Sequence, residues 1–581
     1  MGHPSALSPQ RRKDDWARLT AQPLDVLVVG GGVTGAGAAL DAVTRGLSVG
    51  LVEAQDWAAG TSSRSSKLVH GGLRYLQMLD FHLVHEGLAE RGLLLRRLAP
   101  HLVRPVPILY PLRRPVLERA YVGAGIALYD LLGASTGRGR GLPRHRHLGK
   151  RATLASAPCL RASALAGAVV YWDAQVDDAR YVVETVRTAA SHGVVPLNRA
   201  AVTAFSFGEG RVTGAVVRDE ETGAEHAVRA RVTISATGAW TEQTEALAGR
   251  GRAVQVRPSK GAHILVRREK LASATGMVLR TDRSVLFVLP WGEHWLIGTT
   301  DTDWPYAKAR PLASAADVGY ILSELNAVLE RPLSKDDVEA TYAGLRPLIA
   351  GSGVVRGPGE GRKDLPTTKL SREHVVSRPL PGLVVVSGGK YTTYRVMAAD
   401  AVDAAVAEGR FHALACRTAA VPLLGAQGWA GAWDARAAAA REARVPLPEM
   451  ERLMGRYGTL VPELVEELAA HPAWHQRLAG TAYLKVEVAY AVTHEGARHL
   501  DDVLARRTRL AMGPVDEAVA AAPEAAEVMA PLLGWDRATI SSEVDDYCLQ
   551  AQLVRRVALE AQDDGAAARL ADATPARLPV P

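Results

Sequence analysis

Four glycines near the N-terminus have the spacing that brings a polypeptide backbone against phosphate groups. Gly30, Gly32 and Gly35 form the pattern G-x-G-x-x-G, with Gly31 inside it. The first glycine turns the chain off a strand, the second leaves room for a pyrophosphate, and the third lets helix and strand pack closely. N–H groups at the start of the next helix attract phosphate oxygens. Glu53 ends a second apolar strand, where a carboxylate can accept a hydrogen bond from a ribose hydroxyl. This arrangement predicts dinucleotide binding; a glycine-rich turn in a structural βαβ unit is the alternative.

A second segment, residues 61–76, reads TSSRSSKLVHGGLRYL and is poorly suited to a buried core. Its hydroxyls, lysine and paired glycines fit a loop that lies along a long phosphorylated cofactor, whereas a simple Rossmann enzyme for NAD needs no such loop. A solvated loop is the alternative. The predicted cofactor contacts in this segment are Thr61, Ser62, Ser63, Ser66, Lys67, Leu68, His70, Gly71, Gly72 and Leu73.

Together the two segments resemble those of the FAD-dependent (aerobic, respiratory) glycerol-3-phosphate dehydrogenases. Later blocks extend the resemblance from about residue 23 to about residue 560: ATG at 236–238, KGAH at 260–263, YAGLRPL at 342–348, LSREH at 370–374 and GGKYTTYR at 388–395. The resemblance implies FAD as cofactor, with further contacts at Gly238, Gly389, Lys390 and Thr392. It also implies oxidation of sn-glycerol 3-phosphate to dihydroxyacetone phosphate, hydride transfer to FAD and electron transfer to a membrane quinone.

Oxidation of a secondary alcohol requires a base that removes the hydroxyl proton while hydride leaves carbon. A histidine suits this task because its unperturbed pKa of about 6.5 leaves the imidazole largely neutral at pH 7. The resemblance selects His263, in the KGAH block, from the 17 histidines of the chain. A strand-end histidine that only positions Lys260 or the flavin is the alternative.

The substrate phosphate needs fixed cations, and arginine can meet phosphate oxygens with two parallel hydrogen bonds. The resemblance implies a substrate pocket lined by Arg74, Tyr75, Arg346, Arg372 and Lys390, with Arg346 also counted as catalytic. Thr300 and Asp301 are expected to shape the same site. The chain has 58 arginines, since 11 of its 69 basic residues are lysines. A solvated or salt-bridged surface arginine is therefore the alternative for each.

Composition excludes several classes of protein. The chain has 581 residues, of which 48% are apolar and 23% charged, and a net charge of +7, which is ordinary for a globular protein of more than one domain. We find no zinc-ligand spacing, no aromatic–basic platform and no helix-turn-helix pattern, so we expect no metal site and no nucleic-acid partner. Cys159, Cys416 and Cys548 lie far apart, which favours a reducing cytoplasm. We expect neither a signal peptide nor a membrane-spanning segment.

A quinone-reducing enzyme without a spanning helix must contact the membrane surface. Residues 121–132 are apolar, and a basic run follows them. The run contains Arg138, Arg140, Arg144, Arg146, Lys150 and Arg151. Such a pair of segments predicts a peripheral anchor on the inner face of the cytoplasmic membrane. A core helix followed by a solvated loop is the alternative, and the sequence leaves a homodimer open.

The order of predicted elements defines an α/β fold. It is an FAD-binding Rossmann-like domain of the glutathione-reductase/amino-acid-oxidase type, interleaved with an α+β antiparallel-sheet substrate domain and followed by an all-α C-terminal domain. The FAD-binding domain is assigned to residues 23–95, 165–250 and 365–405, and the substrate-binding cap to residues 96–164 and 251–364. Residues 410–565 are assigned to the helical domain, and 1–22 and 566–581 to tails.

Other functions fit the same motifs. A glycerol-3-phosphate oxidase would pass its electrons to dioxygen, and an amine or amino-acid oxidase of the same fold would take a different substrate. A membrane-bound scaffold that holds FAD only structurally would not be an enzyme. The sequence identifies neither the electron acceptor nor the role of the glycine-rich stretch 351–364.

Overall fold

The computed structural model describes residues 4–77, 80–135, 142–249, 254–281, 285–350 and 373–574, apart from the side chains of Arg74 and Gln77. The strands in these ranges are β1 (Leu24–Val29), β2 (Val49–Val52), β3 (Leu68–Val69), β4 (Val103–Leu112), β5 (Arg146–Gly149), β6 (Gly167–Val176), β7 (Val195–Leu197), β8 (Ala200–Gly208), β9 (Arg211–Asp219), β10 (Glu225–Ser235), β11 (Val256–Arg267), β12 (Gly276–Arg280), β13 (Val285–Trp291), β14 (His294–Gly298), β15 (Thr302–Asp303), β16 (Val338–Ile349), β17 (His374–Leu380) and β18 (Leu383–Gly388).

The α-helices of the same ranges surround the two sheets that these strands form. They are α1 (Pro9–Ala21), α2 (Val33–Thr44), α3 (Leu73–Gln77), α4 (Phe81–Leu93), α5 (Leu117–Ser135), α6 (Lys150–Ser156), α7 (Asp178–Ser191), α8 (Thr241–Ala246), α9 (Ala315–Asn326), α10 (Tyr394–Gly409), α11 (Trp429–Asp434), α12 (Arg436–Glu442), α13 (Leu447–Tyr457), α14 (Val461–Ala470), α15 (Lys485–Thr493), α16 (Val515–Leu533), α17 (Arg537–Glu560) and α18 (Asp564–Ala573). None of these described helices combines the length and the apolar composition needed to cross a bilayer.

The first sheet has a parallel centre in the order β18-β10-β1-β2-β7, with β17 antiparallel at one edge and the β8–β9 hairpin attached to β10. β1 is an almost continuous apolar run because both of its faces are covered, and α2 packs beside it between α7 and α10. Since the central strands are parallel, the carboxyl ends of β1, β2, β10 and β18 meet at one edge. α2 begins at that edge.

The second sheet has ten strands in the order β15-β11-β14-β13-β12-β4-β6-β3, with β16 paired to β11 and β5 to β6. β16 pairs along almost the whole of β11, and β14 pairs on the other side of β11. Successive β11 residues face two different cores. Ile264 and Val266 pack into one core with α9, whereas Leu265 packs into the other with Ile126 and Tyr129 of α5. This two-sided burial fixes the register of β11 and β16.

The C-terminal helices α11–α18 are joined to the first sheet by buried ion pairs. Asp56 accepts hydrogen bonds from Nε of Arg506 at 2.6 Å and from both terminal nitrogens of Arg507 at 2.7 and 2.8 Å. Arg509 Nη2 donates to Asp178 and to the Ser63 carbonyl, each at 2.9 Å. Arg506, Arg507 and Arg509 therefore hold the helical unit against the loop that follows β2 and against the start of α7.

Three predicted boundaries differ from the structure. Residues 9–21 form α1, which is capped by the Ser8 hydroxyl and anchored by the fully buried Leu19, so the N-terminal segment is not a tail. β6 belongs to the second sheet, so the assignment of residues 165–176 to the FAD-binding domain is wrong. α18 extends the helical unit to Ala573, because its alanines pack onto α17. Residues 575–581 of the predicted tail lie outside the described residues.

Candidate active site

The glycine turn lies at the carboxyl end of β1. Gly30 has a φ of +112°, and a Cβ there would lie 2.6 Å from the Ala236 carbonyl oxygen at the end of β10. A Cβ on Gly35 would overlap the carbonyl oxygen of Gly30, so the first turn of α2 approaches β1 only because residue 35 is glycine. A Cβ on Gly32 would meet the Ser62 hydroxyl at 3.1 Å. The glycines of the turn therefore place no side chain of their own at the N-terminus of α2.

Glu53 follows β2 directly and lies beside this turn. Its carboxylate accepts the Gly31 N–H at 2.6 Å and the Gln55 N–H at 2.8 Å, which fixes its orientation. Burial raises the pKa of the carboxyl group, and the two backbone N–H groups oppose that rise. The carboxylate is held where the sequence predicted a ribose contact, and that contact stays a prediction.

A cleft of about 1380 Å³, counting its open mouth, runs along the carboxyl edge of the first sheet. The predicted cofactor residues that line it are Gly30, Gly32, Glu53, Thr61, Ser62, Gly238, Gly389 and Lys390. Gly31 and Gly35 do not line it and instead shape the turn beneath. Four glycines give the cleft a floor without side chains, and hydroxyls and a carboxylate border it. These residues fit a dinucleotide such as FAD, in the crevice where ligands of parallel sheets bind.

Sequence motifs missed part of the cleft wall. Val202 of β8, Gln55, Trp240 and Thr244 also line it. Val202 reaches the cleft because the β8–β9 hairpin folds back onto β10, which no short motif records. Trp240 and Thr244 follow Gly238 on the next helical turns, so a period of three to four residues after the ATG block could have indicated them.

Within the second predicted segment, only Thr61 and Ser62 of the predicted contacts line the cleft. The Ser62 hydroxyl accepts the Val33 N–H at 2.9 Å and so caps α2. Thr61 Oγ1 donates to the Leu345 carbonyl at 2.6 Å, which binds residues 53–66, named here the flavin loop, to β16. The loop therefore lies between the two sheets.

Lys67 is used inside the protein in place of the cofactor contact predicted for it. Its fully buried ammonium donates to Asp178 at 2.8 Å and to the Ser63 carbonyl at 2.6 Å. Burial and the nearby Arg509 lower its pKa to about 7, although Asp178 opposes them. A desolvated ammonium needs such a carboxylate, and this need outweighs a role in the cleft.

The other predicted contacts of this segment hold elements together and do not line the cleft, whereas Ser65, which was not predicted, does line it. Leu68 lies in β3, and the Gly71 N–H donates to the Tyr129 hydroxyl at 2.7 Å. The His70 N–H donates to Thr392 Oγ1 at 3.2 Å, which ties the segment to the GGKYTTYR block. Cofactor contacts stay predictions for Ser63, Ser66, Leu68, His70, Gly71, Gly72, Leu73 and Thr392.

His263 is fixed on β11 by contacts on three sides. Its Nε2 lies 2.8 Å from the Ser66 hydroxyl, and its ring stacks on Tyr342 with centroids 4.6 Å apart and planes 10° apart. A Cβ on Gly298 would overlap the ring, so the neighbouring strand β14 has no side chain at this position. Burial lowers the pKa of His263 well below its usual range, and the positive charges of Arg346 and Lys67 lower it further. The imidazole is therefore neutral at pH 7.

Arg346 lies on the same face of the sheet as His263. In the register of β11 and β16, Ser259 pairs with Arg346 and His263 pairs with Tyr342, so all four side chains share one face. The guanidinium lies over Gly261, donating to Thr299 Oγ1 at 3.0 Å and to the Thr300 carbonyl at 3.2 Å. Burial of this group between two strand ends leaves little freedom for its position.

Thr300 and Asp301 both contact this arrangement, and their role in shaping the substrate site stays a prediction against a plain strand-to-turn role. The Thr300 hydroxyl accepts the Ala262 N–H at 2.9 Å, and Asp301 accepts the Ser259 hydroxyl. Asp301 also lies 3.8 Å from Arg346 Nη1. The block thus positions β11 and Arg346.

Lys390 lines the cleft. Its ammonium lies 3.5 Å from the centre of the Tyr75 ring, so two predicted substrate residues from distant blocks meet. The side chain of Arg74 is not described, and Arg372 and the stretch 351–364 lie outside the described residues. Their places in the pocket stay predictions.

Comparison with known sequences agrees with this site. The family model described as FAD dependent oxidoreductase matches residues 25–395, and that of the C-terminal domain of alpha-glycerophosphate oxidase matches residues 416–540. The chain is 47% identical to glycerol-3-phosphate dehydrogenase 2 of Mycobacterium bovis over 566 residues, which are 97% of this chain and 94% of that protein. It is 36% identical to the human mitochondrial glycerol-3-phosphate dehydrogenase, over 94% of this chain and 74% of that one.

Solved structures show the same fold. The glycerol-3-phosphate dehydrogenase from Bacillus halodurans, solved in complex with FAD, matches with a TM-score of 0.75 at 27% identity, covering 96% of this chain and 99% of that chain. The L-alpha-glycerophosphate oxidase from Mycoplasma pneumoniae matches with a TM-score of 0.51 at 18% identity, covering 68% and 96%, which concerns the fold alone.

A dinucleotide cleft at the edge of a parallel sheet, with an antiparallel sheet carrying a buried histidine against it, defines an FAD-dependent oxidoreductase. FAD is the cofactor of this protein. The chain belongs to the FAD-dependent glycerol-3-phosphate dehydrogenase family. The predicted family, fold class, cofactor and enzyme class are thereby confirmed.

Proposed function

We propose that this enzyme oxidises sn-glycerol 3-phosphate to dihydroxyacetone phosphate and delivers the electrons to a membrane quinone. The observation that carries the proposal is the shared sheet face of His263 and Arg346, a neutral base and a fixed cation, directly against the flavin loop. Bound FAD supplies the hydride acceptor. The relatives' names supply the substrate, because the 47%- and 36%-identical proteins are glycerol-3-phosphate dehydrogenases.

His263 Nε2 is the atom that takes the hydroxyl proton of the substrate. It can do so because the buried imidazole is neutral and because the Tyr342 stack fixes the plane of the ring. The Ser66 hydroxyl, 2.8 Å from Nε2, marks the direction from which a substrate hydroxyl would approach. The absence of a side chain at Gly298 lets the ring lie directly against β14, which also fixes its position.

Arg346 and Lys390 supply positive charge for the substrate phosphate. Arg346 is held by Thr299 and Thr300 and so keeps its direction without the ligand. Preorganised cations lose little conformational entropy on binding, which favours a small charged substrate. Arg74 and Arg372 are proposed to complete the anion pocket.

A product assay tests the substrate. The FAD-loaded enzyme is incubated with a dye acceptor and sn-glycerol 3-phosphate, sn-glycerol 1-phosphate, glycerol, glycine or sarcosine; dye reduction measures turnover of each, and dihydroxyacetone phosphate is measured as the product of the phosphate esters. We expect product only from the sn-3 isomer at substantial rate. Equal turnover of glycerol, or turnover of glycine or sarcosine in place of the phosphate ester, would point to a different substrate class.

The outward face of α5 supports the membrane part of the proposal. Leu117 is 75% exposed, Tyr121 63% and Leu131 65%, while Ile126 and Tyr129 on the other face are buried. An apolar stripe this exposed is unusual on a monomeric protein and fits shallow insertion between lipid headgroups. The earlier alternative of a core helix accounts only for the inner face. Arg138 and Arg140 of the predicted basic run lie outside the described residues.

Dioxygen is the second candidate for the electron acceptor. The match of residues 416–540 to the C-terminal domain of alpha-glycerophosphate oxidase favours it. Parallel assays of ubiquinone-analogue reduction and of peroxide release under air separate the two. If a quinone is the acceptor, nearly all electrons should reach the quinone analogue. Stoichiometric peroxide release in the presence of the quinone analogue would instead indicate an oxidase.

A further inference from the structure

A second cavity of about 320 Å³ lies behind the flavin loop, where the C-terminal helices α16 and α17 meet β16. Gln55 of the flavin loop lines both this cavity and the cleft, so the loop is the wall between them. Most of the lining is apolar and includes Leu312, Val515 and Leu553. His263, Arg346 and Lys390 do not line it. Tyr342, which stacks on His263, does line it, so the cavity lies next to the proposed base without including it.

Arg64 projects from the flavin loop to the wall of this second cavity. Within the described residues its guanidinium makes no hydrogen bond and no ion pair. Burial lowers the pKa of Arg64 to about 10, and the like charges of Arg506 and Arg509 contribute. The side chain is still cationic at pH 7. The side chain is half-buried, and the carboxylate of Asp501 acts on it without forming an ion pair, so an anion beside Arg64 would add a direct counter-charge.

The other charged groups of the lining do not neutralise Arg64. Arg506 is paired with Asp56, Asp501 and Asp502, and its ion pair with Asp501 is 2.7 Å long. Hydrogen bonds from His499 to Glu221 and Glu543 outweigh its burial and raise its pKa to about 9, so this lining group is also cationic. Of the five cationic side chains of the lining, Arg199, Arg506 and His499 are thus paired with carboxylates, which leaves Arg64 and Arg310.

Arg310 adds a second cation without a carboxylate partner in the part of the chain that the structure describes. Its Nη1 donates to neutral oxygens: the Gln550 side chain at 3.3 Å, and the carbonyls of Ala571 and Thr574 at 3.4 and 3.2 Å. Burial lowers its pKa. The positive excess of the lining therefore comes from two arginines on different elements.

Tyr547 of α17 offers a hydrogen bond to an occupant of the cavity. The residue is 5% exposed, and its hydroxyl has no hydrogen-bond partner among the described residues. A buried hydroxyl without a partner costs stability unless a ligand or water satisfies it. This unsatisfied donor is independent of the excess of positive charge and points to a ligand with acceptor oxygens.

We propose that this cavity is a binding site for a small organic anion that has a phosphate or carboxylate group at one end and an apolar body. Arg64 is the counter-charge, Tyr547 donates a hydrogen bond, and the apolar wall holds the hydrocarbon part. The site is distinct from the substrate pocket, because its lining contains none of His263, Arg346 and Lys390. A ligand here contacts the loop that also borders the FAD cleft.

Calorimetric titration of the FAD-loaded full chain tests the site, with hexyl phosphate, inorganic phosphate and hexanol as ligands. We expect saturable binding of hexyl phosphate, weaker binding of phosphate and none of hexanol. Arg64→Gln should weaken hexyl phosphate binding about 10- to 150-fold, as loss of a charged hydrogen bond implies. Tyr547→Phe should weaken it about 2- to 12-fold. The exposed Arg537 of the same helix as Tyr547 is the matched control, and Arg537→Gln should bind as the parent does.

Two further results separate this site from the substrate pocket and from misfolding. Hexyl phosphate should still bind to the Arg346→Ala chain, and the Arg64→Gln chain should keep its flavin content and its unfolding temperature. Failure of the proposed glycerol-3-phosphate oxidation would leave these binding results unchanged. Absence of saturable binding, or equal affinity of the parent and the Arg64→Gln chain, would overturn the proposal.

Discussion

At the scale of single residues, the central feature is an imidazole that burial keeps neutral. His263 is held between the Ser66 hydroxyl and the Tyr342 ring, with the cations Arg346 and Lys67 nearby. Burial and the two positive charges disfavour the protonated ring. The sequence could select the residue type and the motif, but only the paired strands explain why this histidine differs from the other sixteen.

Replacement of His263 by alanine should slow anaerobic flavin reduction by about 10²- to 10⁴-fold while FAD stays bound. The loss should lessen at high pH, where hydroxide can act as base. In the parent, the group is inactivated only when it is protonated, and its folded pKa lies below 6.5. The reduction rate should therefore be constant from pH 8 down to 6.5 and fall only at lower pH. Stopped-flow absorbance measures both effects; a near-native rate of the variant would reduce His263 to a positioning residue.

Replacement of Arg346 by alanine should lower kcat/KM for glycerol 3-phosphate far more than any residual turnover of glycerol. A charge-assisted hydrogen bond contributes about 1.5–3 kcal/mol, so a loss of roughly 10- to 150-fold is expected. Steady-state kinetics with a dye acceptor measures it. Arg537, 87% exposed at its side chain, is the control. Equal losses for the charged and the neutral substrate would indicate misfolding and contradict the assignment.

At the scale of elements, the C-terminal helices are bound to the flavin loop through buried charges. Asp56 is fully buried and serves both Arg506 and Arg507. Its replacement by asparagine removes the buried carboxylate that Arg506 and Arg507 share, so the free energy of unfolding should fall by about 3–5 kcal/mol. Urea unfolding followed by tryptophan fluorescence measures it. In the exposed pair of Arg537 and Glu527, Glu527→Gln should cost less than about 1 kcal/mol. Equal costs for the two variants would mean that the buried pairs do not hold the units together.

The apolar stripe of α5 makes a separate prediction. The parent should sediment with anionic liposomes at low salt, and binding should weaken at high salt because basic flanks contribute. Leu117→Asp combined with Leu131→Asp should abolish the binding and leave flavin content unchanged. Leu559→Asp is the matched control, since Leu559 is 54% exposed on α17, away from α5. Liposome binding that survives the double change would place the membrane contact elsewhere.

At the scale of the whole molecule, the cofactor site forms because four parallel strands end at one edge. Local sequence predicted this part well, since the glycines, the strand before them and Glu53 belong to one βαβ unit. Contacts between residues that lie far apart in the sequence could not be predicted in this way. Lysine is a residue type that often binds phosphate, so the motif predicted a cofactor contact for Lys67. In the structure its ammonium lies beside Asp178 and Arg509, which belong to other elements. Val202 carries no motif and reaches the cleft through a hairpin.

The N-terminal helix α1 is another element that could not be predicted from local sequence. Its residues are mostly polar, which predicted a mobile tail. In the structure, the nearly buried Asp15 is neutralised by Arg11 and Arg18 of the same helix, and Leu19 enters the core of the first sheet. The helix is held by apolar contacts of Leu19 and Trp16, by local ion pairs and by the ion pair of Arg12 with Asp219, none of which the composition reveals.

Anaerobic mixing of the FAD-loaded enzyme with sn-glycerol 3-phosphate tests the central claim most directly. The flavin absorbance near 450 nm, roughly the band of oxidised flavin, should bleach in a single turnover without any added acceptor, because the alcohol itself delivers the hydride. Glycerol at the same concentration should leave the band almost unchanged. A band that persists with sn-glycerol 3-phosphate, or that bleaches equally with glycine or sarcosine, would contradict the proposed reaction.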